Sequence, residues 1–185
     1  MKDMFNKILD EYLVINSNEE KKLEQFREFI NTSNDNEIGD WNNFNGHVVA
    51  SAFIYSKKEE KLLLVYHNDF KIYLYPGGHM EDSDITPVDT AVREIKEETG
   101  IINIKQENIC DNELVPIDID IHKIEYNKEL NLPSHYHFDL RYLFLIDEIT
   151  EVVLDTNELS DYKWVSIIDI EEQFGGVLNK IKKII

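Results

Sequence analysis

The sequence predicts an α/β (α+β) protein built on a mixed sheet with helices packed against it. From residue 47 onward, short runs typical of β-strands alternate with polar turns. One helix with strong start and stop signals, at about residues 86–100, interrupts these runs. Because strands and single helices do not follow a regular βαβ repeat, the pattern favours a mixed α/β or α+β sandwich.

The first 45 residues are predicted to form a short helical extension followed by a linker. Residues 3–13 have a rough apolar stripe at helical spacing. Ser17 and Glu20 have the spacing of a capping box, which predicts a second helix that continues to about Ile30. Residues 31–45 are rich in Asn and Asp and are interpreted as a linker, so the predicted division is 1–45 for the extension and 46–185 for the main domain.

The main domain is predicted to contain several strands and to end in helices. The predicted strands cover residues 47–55, 61–67, 71–75, 114–124, 136–147 and 162–165. Residues 76–86 are interpreted as a loop, and residues 167–185 as two short helices.

The central helix has local signals at both ends. Thr86 is a suitable N-cap, Pro87 suits the first helical position, and Gly100 suits the end of the helix. One face is predicted to be buried, and it contains Val88, Ala91, Val92, Ile95 and Thr99.

Composition excludes several classes of function. Hydrophobic residues make up 42% of the 185 residues, which is sufficient for a core, and no apolar run approaches a membrane span. The formal net charge of -18 opposes binding to nucleic acid or to an anionic membrane. The single cysteine, Cys110, excludes an internal disulfide, and a cytoplasmic location is expected because the N-terminus lacks the pattern of a secretory signal.

Three acidic residues on the central helix follow a glycine pair. Glu94, Glu97 and Glu98 are neighbours at helical spacing, and alone they would indicate a solvated acidic face. The preceding Gly77 and Gly78 allow close approach of the backbone. Oxygen ligands beside exposed carbonyl groups suit Mg²⁺ or Mn²⁺, so the combination predicts a metal site that can bind a pyrophosphate.

The segment from Gly78 to Ile101 resembles the signature of the Nudix hydrolases. It contains Arg93-Glu94-Ile95-Lys96-Glu97-Glu98-Thr99-Gly100-Ile101, which matches Arg-Glu-aliphatic-x-Glu-Glu-x-Gly-aliphatic. The resemblance implies an α/β/α sandwich and hydrolysis of a nucleoside diphosphate linked to another moiety, with Mg²⁺ or Mn²⁺. It covers about residues 46–170, and the Gly-Gly-His sequence before the helix resembles that of a Nudix subgroup whose substrate is not settled.

The resemblance also implies the roles of individual residues. Glu94, Glu98 and Glu97 would bind metal together with the carbonyl group of Gly77, and Glu97 and Glu98 also count as catalytic. Arg93 would be structural and would pair with a carboxylate to fix the loop on the helix. The sequence departs from the family where a Glu usually stands six positions after the glycine, with seven residues before the Arg; here that position is Asp84 and eight residues intervene, which puts a role for Asp84 in doubt.

Residues outside the signature are further candidates. The resemblance implies a further catalytic acid outside the signature, which serves as the base or as an extra metal ligand. Glu158, six residues before Trp164, is the first candidate for it, ahead of Glu151 and Asp155, and the alternative for Glu158 is a solvated loop acid. The alternating segment 135–141 predicts a strand whose polar face is either solvated or the wall of a cleft. On the second interpretation substrate would contact a set of residues around the glycine loop and this strand: Gly78, His79, His135, His137 and Arg141.

Two other functions are weighed against the hydrolase. A nucleotide-binding Nudix module without activity usually has eroded signature carboxylates, and the intact segment 93–98 argues against it. An isomerase acting on an allylic diphosphate would use a Cys and a His-rich metal site, but Cys110 follows the signature helix, where that cysteine is not expected. The expected partner is a small nucleotide-type substrate. Residues 1–31 have two alternative interpretations, as a lid over the site or as the contact of a homodimer.

Overall fold

The computed structural model describes residues 1–128 and 131–185. Its α-helices, in chain order, are α1 (Lys2–Ile15), α2 (Glu24–Thr32), α3 (Pro87–Thr99), α4 (Glu171–Phe174) and α5 (Gly176–Ile184). Its strands are β1 (His47–Ser56), β2 (Lys61–His67), β3 (Ile72–Leu74), β4 (Gly77–His79), β5 (Lys105–Glu107), β6 (Asp118–Ile124), β7 (His135–Ile146) and β8 (Leu159–Ser166). Short 3₁₀ turns cover Ser17–Glu19, Asp35–Glu37 and Ile167–Ile170. No helix among the described residues is long and apolar enough to cross a membrane.

The strands form one mixed sheet centred on β1. Strand β1 pairs in parallel with β7 along its whole length, and its other edge pairs with β4 near one end and with β2 near the other. β2 also pairs with β3 and β8, while β7 also pairs with β5 and β6. All pairings other than β1 with β7 are antiparallel, so the predicted mixed sheet is confirmed.

Helices cover both faces of this sheet. On one face, Ala50 and Ala52 of β1 share a hydrophobic cluster with residues of α1, α2 and α3. On the other face, Phe53 and Tyr55 share a second cluster with α5. Side chains alternate along a strand, so this division follows from the register of β1. The arrangement is the predicted α/β/α sandwich.

The N-terminal extension packs directly on the sheet. The ring of Phe138 on β7 stacks on Phe26 and Phe29 of α2, with centroids 5.0 and 4.5 Å apart. Phe5 of α1 contacts Phe26 edge to face. Residues before position 46 therefore complete one side of the core, while the predicted division into extension and domain stays a prediction.

The predicted caps of α3 are confirmed, whereas the capping box predicted near the N-terminus is wrong. Thr86 accepts a hydrogen bond from the amide of Asp89 at 3.2 Å and Gly100 ends the helix with φ +68°. The predicted capping box of Ser17 and Glu20 does not form: Ser17 begins a 3₁₀ turn, and α2 begins later, at Glu24, without a side-chain cap.

Other boundaries also differ from the prediction. Strand β4 lies inside the predicted loop 76–86, because its pairing with β1 depends on residues distant in sequence. Strand β5 was not predicted, and the strand predicted over residues 114–124 begins only at Asp118. Val92, predicted to be buried, is 40% exposed, since the buried arc of α3 is shifted toward Glu98.

Candidate active site

Helix α3 presents its three signature carboxylates at different depths. Glu98 is 5% exposed, and its Oε2 accepts a hydrogen bond from the amide of Gly77 at 3.3 Å. The side chain of Glu94 is 13% exposed, while that of Glu97 is 54% exposed. The two carboxylates expected to bind metal first are therefore the two that face strand β4.

The glycine pair allows this close approach of α3 and β1 to strand β4. A Cβ atom added at Gly78 would overlap the carboxylate of Glu94. A Cβ atom added at Gly77 would lie 2.7 Å from Cα of Ser51 and 2.8 Å from the carbonyl oxygen of Ala50 on β1. At Gly77 the near atoms belong largely to the backbone of β1, so packing requires a glycine there. At Gly78 the near atoms are the end of the Glu94 side chain, so a larger residue would displace that carboxylate.

Arg93 joins the loop, the strand and the helix. Its guanidinium donates to Asp84 at 3.0 Å, to Glu94 at 2.9 Å and to Glu97 at 2.9 Å. It also donates to the carbonyl oxygen of His79 at 2.7 Å. The expected pairing of Arg93 with a carboxylate is present, and Asp84 supplies it despite the insertion in the loop.

The two buried carboxylates have strongly raised pKa values. Burial raises the pKa of Glu94 to about 7, and the nearby Arg93 opposes this shift only in part. Burial, followed by the charge of Glu94, raises the pKa of Glu98 to about 8. The charge of Glu158 raises the pKa of both, so this exposed acid lies near the pair. Without a further positive charge nearby these two carboxyl groups resist ionisation. A divalent cation such as Mg²⁺ or Mn²⁺, which prefers hard oxygen ligands, would supply that charge.

The predicted substrate-binding histidines lie on the other face of the sheet. Because side chains alternate along β4, Gly78 faces α3 whereas His79 faces away from it. His79 lies instead against His47 and His137, with ring centroids 5.0 and 5.3 Å away, and His135 packs on the same group. Burial lowers the pKa of His47 to about 4 and that of His137 to about 2, so both rings are neutral.

Arg141 is held by carboxylates of the protein. Its guanidinium donates to Asp139 at 2.9 Å, Asp120 at 3.0 Å and Asp118 at 3.2 Å. It lines a cleft of about 470 Å³ beside α5, together with Lys180. A phosphate would have to displace one of these carboxylates, which weakens the prediction that Arg141 binds substrate.

Comparison with known proteins decides the family. The family model described as the NUDIX domain matches residues 46–183. The chain belongs to the Nudix family. The predicted family, fold class and type of enzyme, a Nudix pyrophosphohydrolase, are thereby confirmed.

Individual Nudix proteins are similar over most of the chain. A protein of Lactococcus lactis subsp. cremoris (strain MG1363) named "Probable DHNTP pyrophosphohydrolase" is 32% identical over 135 residues, which are 73% of this chain and 75% of the relative. A NUDIX family hydrolase from Clostridium perfringens has a TM-score of 0.55 at 25% identity, with 74% of this chain and 94% of that chain covered. The binary complex of a C. elegans Ap4A hydrolase has a TM-score of 0.55 at 19% identity, with 74% and 95% covered, and shows a similar fold.

Sequence reasoning missed two features around the Nudix site. Asp84 was doubted because of its spacing, although its side chain is only 4% exposed and pairs with Arg93. No sequence motif assigns a role to His47, although its side chain is fully buried among the other histidines. Its position opposite His137 depends on the parallel pairing of β1 with β7, which no local motif indicates.

Proposed function

We propose that the chain hydrolyses a phosphoanhydride bond in a nucleoside diphosphate linked to another moiety, or in a related triphosphate, with Mg²⁺ or Mn²⁺. The observation that carries this proposal is the buried pair Glu94 and Glu98 against the glycine strand. Their raised pKa values mean that the ionised pair needs a compensating cation, and pyrophosphate groups are substrates that such a cation binds. A bound Mg²⁺ or Mn²⁺ would neutralise charge on the pyrophosphate and lower the pKa of the attacking water.

The residues of the site divide into three roles in this proposal. Glu94 and Glu98, with the carbonyl group of Gly77 and with Glu97 nearby, would hold the metal ion. Arg93 would be a positioning residue, because its donors are bonded to Asp84, to the α3 carboxylates and to the backbone of β4.

Glu158 is our candidate for the general base. It is exposed and lies near the buried pair, whereas one oxygen of Glu97 accepts a hydrogen bond from Arg93. Glu158 would accept the proton of the water as the water oxygen attacks phosphorus. The bridging P–O bond then breaks, and the two products each keep a terminal phosphate.

The names of similar proteins suggest substrates to test. The Lactococcus lactis relative is named for DHNTP, a pterin triphosphate, and the C. elegans neighbour is named for Ap4A. A suitable panel therefore contains dihydroneopterin triphosphate, Ap4A, ADP-ribose, NADH and the (d)NTPs. Absence of turnover across this panel by metal-loaded protein, with binding of a panel member, would favour the alternative of a binding module.

Variants of α3 test the site assignment. Glu98→Gln should reduce turnover at least about 100-fold, since even outer-shell partners of a metal contribute about 10–100-fold. Glu97→Gln should also lose most activity. Glu172→Gln, which removes an exposed carboxylate from α4, is the matched control and should retain full activity. Full activity in both α3 variants would refute the assignment.

The cellular setting also remains a proposal. We expect a cytoplasmic protein that acts on a small nucleotide-type molecule, and subcellular fractionation tests the location. A homodimer is the remaining expectation for the assembly, which sedimentation of the purified chain measures.

A further inference from the structure

Five of the six histidines gather on the sheet face opposite α3. Three of them, His47, His79 and His137, each offer a ligand atom within 4.8 Å of those of the other two. We call these three the histidine triad. No other group of three or more His, Cys, Asp or Glu side chains within residues 1–128 and 131–185 meets this criterion. His135 and His122 pack around the ring of His137.

The sheet itself brings the triad together. The parallel pairing of β1 with β7 places His47 opposite His137, with ring centroids 4.8 Å apart. The antiparallel pairing of β1 with β4 places His79 opposite Val49, two residues along β1 on the same face as His47. The triad is therefore built on three strands of the sheet rather than on a loop, and ligands on strands are positioned more precisely than ligands on loops.

Hydrogen bonding fixes the state of the buried ring. Nδ1 of His47 lies 3.2 Å from the carbonyl oxygen of Asn43, and because a carbonyl only accepts, Nδ1 must carry the proton. Nε2 of the same ring then carries a lone pair. This atom is buried and has no hydrogen-bond partner within the described part of the chain. A buried acceptor without a donor is rare in folded proteins and calls for a ligand.

A neighbouring ring is oriented in the same way. Nδ1 of His135 lies 2.8 Å from the carbonyl oxygen of Pro133, so its Nε2 also carries a lone pair. That atom lies 3.2 Å from Nε2 of His137, so His137 donates this hydrogen bond from Nε2 and keeps its own lone pair on Nδ1. The neutral rings of the triad thus each retain one nitrogen lone pair, which repels an anion but binds a cation.

The type of ligand atom selects the type of cation. Imidazole nitrogen suits Zn²⁺ and related transition-metal ions, whereas Mg²⁺ prefers oxygen ligands. Three histidines leave the fourth position of a tetrahedral ion open for water or another ligand. The outer contacts are also of the usual kind, since metal-bound histidines commonly donate their other N–H to a backbone carbonyl, as His47 does.

We propose that His47, His79 and His137 bind one divalent transition-metal ion of the Zn²⁺ type, at a site separate from the carboxylates of α3. This inference does not depend on the proposed hydrolysis. The two sites lie on opposite faces of β4. On one face Gly78 lies against Glu94, and on the other the ring of His79 lies against His47 and His137.

Metal binding by the full chain tests the proposal. Protein stripped with a chelator should retain one equivalent of Zn²⁺ after dialysis against a slight excess and passage over a desalting column. His79→Gln and His137→Gln should each weaken this binding at least about tenfold, because a direct ligand contributes at least as much as an outer-shell partner. His67→Gln is the matched control, since His67 is the sixth histidine and packs on Phe70 outside the triad. Glu98→Gln should keep the equivalent of Zn²⁺.

A spectroscopic measurement on the unaltered chain avoids dependence on folding of the variants. Co²⁺ bound by the triad should give the intense visible absorption of a four-coordinate ion, and Zn²⁺ should displace it. Weak absorption typical of six-coordinate Co²⁺ would overturn the proposal. Zn²⁺ binding that survives His79→Gln and His137→Gln but is lost in Glu98→Gln would overturn it as well.

Discussion

Replacement of Glu98 by Gln should stabilise the metal-free protein at alkaline pH while it removes a metal ligand. The pKa of Glu98 is raised by burial to about 8, from an ordinary value of 4.5. Between these two values the folded state binds more protons than the unfolded state, so stability falls as pH rises. Gln does not titrate, and its amide oxygen can still accept the hydrogen bond from Gly77 that the carboxylate accepts at 3.3 Å.

The size of the effect follows from the shift. One pKa unit corresponds to about 1.4 kcal/mol, so from about pH 5 to pH 8 the ionisation of Glu98 costs the folded state on the order of 3 kcal/mol. For a domain of this size that corresponds to roughly 6–12 °C in melting temperature. Glu98→Gln should therefore match the parent chain near pH 5 and exceed it near pH 8.

Thermal and urea unfolding in the presence of a chelator, at several pH values, measure this difference. The Glu172→Gln chain should follow the parent at every pH, because Glu172 is exposed. Added Mg²⁺ should raise the stability of the parent and of this control more than that of Glu98→Gln. Equal dependence on pH in the parent and in Glu98→Gln would contradict the raised pKa of Glu98 in the folded state.

Other substitutions test the packing of the site and of the core. Gly77→Ala places its Cβ against the backbone of β1 and should lower the free energy of unfolding by about 1–3 kcal/mol. Gly78→Ala meets only the end of the Glu94 side chain, so it should reduce metal affinity more than stability. Equal loss of stability in the two variants would contradict this description of the glycine strand. Asp84→Asn breaks the ion pair with Arg93 and should lower the free energy of unfolding in urea by about 3 kcal/mol. Unchanged stability would show that this pair is not formed in solution. Phe138→Ala removes the ring that stacks on α2 and should cost about 3–5 kcal/mol; a smaller change would show that the extension packs on the sheet only weakly.

The parts of the fold that depend on neighbours in sequence were predicted well. The bounds of α3 depend on the cap at Thr86 and on Gly100 at the other end. The contacts at both ends join residues within one helical turn of each other, so they can be predicted from the local sequence. Strand β4 could not be found in this way, because a Gly-Gly-His segment has little strand propensity and is held by its pairing with β1. The failed cap at Ser17 has the opposite cause: the motif is present, but the chain continues as turns until α2 begins at Glu24.

The candidate site also combines features that follow from the local sequence with features that depend on distant segments. Arg93 and the three α3 glutamates follow from a contiguous motif, whereas the pairing of Arg93 with Asp84 depends on how a loop with one additional residue folds back. The triad likewise depends on strands β1, β4 and β7, which are far apart in the chain. Burial, which makes Glu98 differ from Glu97, also could not be predicted from spacing alone.

Metal-dependent hydrolysis through Glu98 is tested most simply by the rate of phosphoanhydride hydrolysis by the parent chain and by Glu98→Gln, each with and without Mg²⁺. The substrate is the panel member that the parent hydrolyses fastest. We expect turnover by the parent only with metal, a loss of at least about 100-fold in Glu98→Gln, and no loss in Glu172→Gln. Equal rates for the parent and Glu98→Gln at saturating Mg²⁺ would contradict the role of Glu98 as a metal ligand.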